Sequence, residues 1–66
     1  MNVPRLRATR LRRMLTQEEL AERAGVSLST VARMERGKPG RISVIRKLAA
    51  ALEAQAIELT GEDKSA

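Results

Sequence analysis

The most restrictive feature of this chain is a single glycine, Gly25, set between two short amphipathic segments. Thr16 opens the first segment, and Thr16-Gln17-Glu18-Glu19 has the form of a capping box. Glu18, Glu19 and Glu22 come early and Arg23 comes late, the order the helix dipole favours. The turn Gly25-Val26-Ser27 follows, and Ser27 can cap a second helix. Two helices joined this tightly make specific demands. Ala21 must be small because the second helix crosses close above it, and Gly25 must take a positive φ. Leu20, Ala24, Val26, Val31 and Met34 must be apolar to fill the angle between the helices. The stretch from Gln17 to Arg36 meets every demand, and such a match is rare by chance.

The other breakers divide the rest of the chain into further helices. Pro4 suits a helix start. From there to Met14, Leu6, Ala8, Arg10 and Leu11 can form a mixed inner face. In the helix after Ser27, Val31, Met34 and Glu35 point inward, while Leu28, Ser29, Ala32, Arg33 and Arg36 point outward. Gly37 ends it, and residues 37–41 read as a loop. Ser43 is expected to open a fourth helix lined by Val44, Ile45, Leu48, Ala49 and Leu52. A short fifth helix from Gln55 to Thr60 would bury Ile57 or Leu59. Gly61 stops it, and the end of the chain, 61–66, is expected to be a short disordered tail behind a domain spanning 1–60. β-branched residues never alternate over four or more positions, so no strand is expected.

Composition narrows the chemistry. The 66-residue chain has no cysteine, histidine or aromatic residue. No disulfide or zinc site can staple it, and a chain of this size buries only about 60% of its unfolded surface. It has no thiol nucleophile and no ordinary acid–base group near neutral pH, and nothing brings its carboxylates, lysines and serines together. Neither an enzyme, a metal site nor a cofactor is expected. Without aromatic platforms, base stacking on single strands or RNA is disfavoured. The net charge is +5, with 13 Lys and Arg against 8 Asp and Glu. Arginine dominates the cations, and it suits bidentate contact with phosphates and guanine edges. Twelve of the 13 basic residues lie in residues 1–50, whereas Glu53, Glu58, Glu62 and Asp63 outnumber Lys64 and make the end acidic. That asymmetry fits a surface facing a duplex. No apolar run approaches the roughly 18 residues of a membrane span, and no signal segment follows the start, so a cytoplasmic chain with no membrane partner is expected.

The stretch Leu15–Arg36, LTQEELAERAGVSLSTVARMER, followed by Gly37-Lys38, resembles the helix-turn-helix family of the phage lambda and 434 repressors and Cro, the XRE family. The similarity runs from Leu6 through Leu59. It implies an all-α fold, a compact four- to five-helix lambda repressor-like domain whose third helix reads the major groove. It further implies sequence-specific binding of double-stranded DNA by a transcriptional regulator, usually a dimer and usually of bacterial or phage origin.

By the same resemblance, Gln17 sits where a family glutamine bonds a phosphate and braces the reading helix. Ser27, Leu28, Ser29 and Arg33 occupy base-facing positions, with Arg33 suited to guanine. Leu28 would either meet a thymine methyl or fold back on Ala32 or an arginine stem. Thr30, Arg36, Lys38 and Arg41 are the expected phosphate contacts. Arg10 and Glu35 stand where the family pairs an arginine with a glutamate, which implies a partly buried structural ion pair.

Three departures stand out. Met14 and Glu53 occupy places where the family often has glycine in a left-handed cap, and Ile42 replaces the usual proline before the fourth helix. A non-glycine cap costs about 1 kcal/mol, unless the helix ends differently. Alternative readings of the same chain are an antitoxin that also grips a toxin partner, with the acidic end as handle or mere solubilising tail, and a helix-turn-helix module that binds protein rather than DNA. The outward arginines favour the DNA reading.

Overall fold

The computed structural model describes residues 1–61, and within them the chain forms five helices and no strand. They are α1 (Leu6–Arg12), α2 (Gln17–Ala24), α3 (Leu28–Glu35), α4 (Ile42–Ala51) and α5 (Ala56–Thr60). Of the expected tail, 61–66, Gly61 is described, as the left-handed cap of α5 with φ 79°, and 62–66 lie outside the described residues. α2 packs on α3 and α4, α4 on α5, and α1 on α3 and α5. One core results, with Leu6, Leu20, Val31, Ile45, Leu48, Leu52 and Leu59 almost fully removed from water.

The local chemistry of α2 and α3 is what the sequence predicts. Thr16 Oγ1 accepts from Glu19 N at 3.0 Å and the Glu19 carboxylate accepts from Thr16 N at 2.9 Å, closing the capping box. Gly25 ends α2 with φ 73°, in the left-handed region that glycine tolerates best. Ser27 Oγ accepts from Thr30 N at 3.1 Å and starts α3. Ala21 is buried at the crossing of the two helices.

α1 departs from expectation. It starts at Leu6, after a turn at Pro4-Arg5 in which Leu6 N donates to Val3 O at 3.0 Å. Its buried face is Leu6, Thr9 and Arg10, while Ala8 and Leu11 are exposed. Positions 6, 9 and 10 form one stripe of a 3.6-residue helix, and Leu11 lies about 100° round from Arg10. α4 begins at Ile42 rather than Ser43, with Arg41 at its cap and no side chain closing it. In α5, Leu59 is the buried residue and Ile57 is 48% exposed.

The two unusual caps keep the left-handed geometry without glycine. Met14 has φ 58° and Glu53 has φ 56°. In each case the next amide reaches back over the cap: Leu15 N to Arg10 O at 3.2 Å, and Ala54 N to Ala49 O at 2.9 Å. Both helices therefore end in the conformation glycine favours, and the chain carries the strain.

Candidate nucleic-acid interface

α3 has two faces with opposite tasks. Val31 and Met34 are buried, and Glu35 is turned inward. Leu28, Ser29 and Arg33 lie on the other side, followed by Arg36 at the cap. Inward anchors fix the helix, so the outward side chains point away from the core. Among the described residues Arg33, Arg36, Lys38 and Arg41 make no salt bridge, which leaves their guanidinium and ammonium groups available to anions.

The inward end of α3 is held by charge. Arg10 Nε donates to Glu35 Oε2 at 2.6 Å and Arg10 Nη2 to Glu35 Oε1 at 3.0 Å. The side chains are only 9% and 3% exposed. Arg10 Nη1 also donates to Leu15 O at 2.7 Å, tying the α1–α2 link into the same cluster. Burial pushes the Glu35 carboxyl up. Hydrogen bonds from Arg10 and Gln17, with the charges of Arg10 and Arg7, outweigh it and hold the carboxyl below its usual range.

Gln17 belongs to this cluster. Its Nε2 donates to Glu35 Oε1 at 3.0 Å, so the side chain that bridges α2 and α3 is fixed in place. A side-chain amide has two N–H groups, so one remains for a further acceptor. Ser27 and Thr30 hydroxyls pair with each other at 2.7 Å, and Ser27 Oγ lies 3.2 Å from Ser29 Oγ. The hydroxyl of Ser27 is thus engaged at the helix start, while Leu28, Ser29 and Arg33 are less committed.

Thr30, Arg33, Pro39, Gly40 and Arg41 line an open cleft of about 550 Å³ between α3 and the start of α4. Lys38 follows Gly37, whose φ of 100° turns the chain out of α3. The loop therefore sets Arg41 in the same cleft as Arg33 of α3, with Lys38 N bonded back to Arg33 O at 3.1 Å. This neighbourhood could not be read from spacing alone, because it depends on how α4 docks. Among the described residues no group of acidic side chains could hold a metal, and no helix is long and apolar enough to cross a membrane.

A family model described as Helix-turn-helix matches residues 6–59. The chain belongs to the XRE-type helix-turn-helix family. Within that family's DNA-binding fold, the α2–turn–α3 unit is the helix-turn-helix itself. Among solved structures the chain is similar to a protein described as hypothetical transcription factor NHTF from Neisseria. The two are 36% identical with a TM-score of 0.76, over 83% of this chain and 63% of that one. The helix-turn-helix chain thus spans less than two thirds of the length of that protein. No curated protein matches it.

Proposed function

We propose that this helix-turn-helix chain is a sequence-specific double-stranded DNA-binding transcriptional regulator, acting as a cytoplasmic repressor that inserts α3 into the major groove as a homodimer on DNA. The observation that carries this reading is the polarity of α3: Val31, Met34 and Glu35 are held inside while Arg33 stands outside without an acidic partner among the described residues. An arginine aimed outward from a rigid helix is suited to guanine O6 and N7.

In this reading Arg33 takes the leading base contact, helped by Ser29, Leu28 and the helix start at Ser27. Gln17, Thr30, Arg36, Lys38 and Arg41 take phosphates. Arg10 and Glu35 reach no DNA and keep α3 at its angle. The similarity to a protein described as a hypothetical transcription factor supports the regulatory role.

Selection of bound duplexes from a random pool tests it. One preferred sequence is expected, with inverted half-sites about 10 base pairs apart if two copies bind symmetrically. With around six phosphate contacts per bound unit, log affinity should fall with log salt at a slope near −5. No preference among duplexes, or a flat salt response, defeats the reading.

A further inference from the structure

The loop between α3 and α4 holds Lys38 and Arg41, and among the described residues the backbone at its middle, Pro39-Gly40, is hydrogen-bonded only to Met1. Gly40 N donates to Met1 O at 2.8 Å, and Met1 N donates to Gly40 O at 3.1 Å. Among the described residues neither Pro39 nor Gly40 makes any other backbone hydrogen bond outside this pair. The partners are 39 positions apart in sequence, so no local propensity produces the pairing.

The pairing is supported on both sides. Val3 is 2% exposed, and its carbonyl accepts from Leu6 N at 3.0 Å, so the segment is anchored to the core just before α1. Met1 lines an apolar groove with Ile42, Ile45 and Ile57, at the start of α4 and on α5. At Gly40 the space is already taken, since a Cβ there would lie 2.8 Å from Met34 Sδ. The absent side chain lets loop, strap and reading helix come together at one point.

We propose that residues 1–3 are a strap that positions the loop 37–41 for phosphate contact, so that Met1 is a positioning residue for duplex binding although it touches no DNA. The inference rests on the regulator reading above. Its physical basis is conformational entropy. A loop already ordered presents Lys38 and Arg41 at no further cost, whereas ordering a loose loop at the moment of binding costs as much as a phosphate contact returns, so the contact is left unmade and the phosphate unneutralised.

The salt dependence of binding separates this role from a merely stabilising one, because its slope reports how many phosphates the protein neutralises. A chain beginning at Val3, released from a cleavable fusion, lacks Met1 and Asn2, the part of the strap that pairs with Gly40, and keeps every residue of the core. A full-length chain with one glycine inserted between Asn2 and Val3 moves the strap out of register instead. Both are compared with the unaltered chain and with Met1→Leu on the selected duplex, and amide exchange at Gly40 is followed by NMR.

The expected result is a slope shallower by about 0.9 for each phosphate left unneutralised, up to about 1.8 if both Lys38 and Arg41 are released, with affinity roughly five-fold lower per phosphate near physiological salt. Gly40 exchange should accelerate in both altered chains, base preference should persist, and Met1→Leu should match the unaltered chain. An unchanged slope in the altered chains overturns the proposal, as does a Gly40 amide that exchanges equally fast in all of them. If the unaltered chain itself shows no duplex preference, the regulator reading fails as well. The two failures are distinguished by whether the unaltered chain binds.

Discussion

Glu35→Gln is the sharpest perturbation of this fold, because one carboxylate gathers three side-chain donors. Arg10 Nε and Nη2 bind it at 2.6 and 3.0 Å, and Gln17 Nε2 at 3.0 Å. A glutamine keeps the shape and one acceptor oxygen. Its amide nitrogen, however, must face a donor from Arg10, and the guanidinium loses its counter-charge. Breaking a buried pair by neutralising one partner costs about 3–5 kcal/mol. Arg10 keeps its bond to Leu15 O at 2.7 Å and is 9% exposed, so the lower end, about 3 kcal/mol, applies. At roughly 4–8 °C per kcal/mol for a domain of this size, the melting temperature should fall by about 12–24 °C.

Thermal melting by circular dichroism at neutral pH measures this destabilisation, and its pH dependence supplies a second reading. The folded-state pKa of Glu35 is lowered from the ordinary 4.5: burial acts upward, and the bonds and charges of Arg10, Gln17 and Arg7 act downward and win. A lowered carboxyl pKa stabilises the fold above the unfolded value, and that contribution is lost as pH falls through the folded value. Stability of the unaltered chain should therefore decline in acid below about pH 4.5, and Glu35→Gln should decline less steeply. Part of the slope survives in the variant, because the bond from Thr16 N also holds the Glu19 carboxyl low. The double change Arg10→Met with Glu35→Leu should recover much of the stability, since apolar replacement of a whole pair is often neutral. A Glu35→Gln protein within about 0.5 kcal/mol of the unaltered chain, with the same acid slope, would refute the reasoning.

Other substitutions probe the remaining claims. Arg33→Ala should leave melting unchanged and relax preference at one base pair, a loss of about 1–3 kcal/mol seen only on the preferred duplex; Lys38→Ala should weaken all duplexes alike and make the salt slope shallower by about 0.9. Met14→Gly and Glu53→Gly should each stabilise by about 0.5–1 kcal/mol, because relief of left-handed strain exceeds the added entropy of the unfolded chain, and denaturant midpoints at constant m-value would detect it. Gly25→Ala meets no atom within 4 Å, so its cost is the backbone term alone, about 1 kcal/mol. A much larger drop in melting temperature would mean that the turn is crowded rather than merely strained.

How much of this was legible in sequence depends on whether the signal was local. Thr16, Glu19, Gly25 and Ser27 act on amides within a few positions of themselves, so α2, α3 and the turn between them followed directly. α1 was harder, because apolarity ranked Leu11 above Thr9. Packing against α5 and the pairing of Arg10 with Glu35 set its orientation, and Thr9 is buried with Oγ1 unpartnered among the described residues. Ser43 carried a capping signal, yet α4 starts one residue earlier, with Arg41 in the extended conformation. Both Ile57 and Leu59 suited burial in α5, and only the docking of α4 and α5 separates them. In the candidate site, the residue types of the outward face were visible and the resemblance implied that Gln17 braces α3, whereas its bond to Glu35 and the pairing of Met1 with Gly40 join distant positions and were not.

The anchoring of α3 makes the same point energetically. α3 has 8 residues, below the about 12–15 at which an isolated helix holds in water. Its direction is therefore imposed from outside, through interactions that converge on its inner face. Val31 enters the core, Met34 lies beneath Gly40 at the loop, and Glu35 is fixed by Arg10 of α1 and Gln17 of α2. Each anchor belongs to a different neighbour, so removing one lets the helix pivot on the others. Leu28, Ser29 and Arg33 take no part in this anchoring. Under the proposed function, changes there should alter what a duplex must present without altering the fold, whereas changes on the inner face should act on stability and aim together.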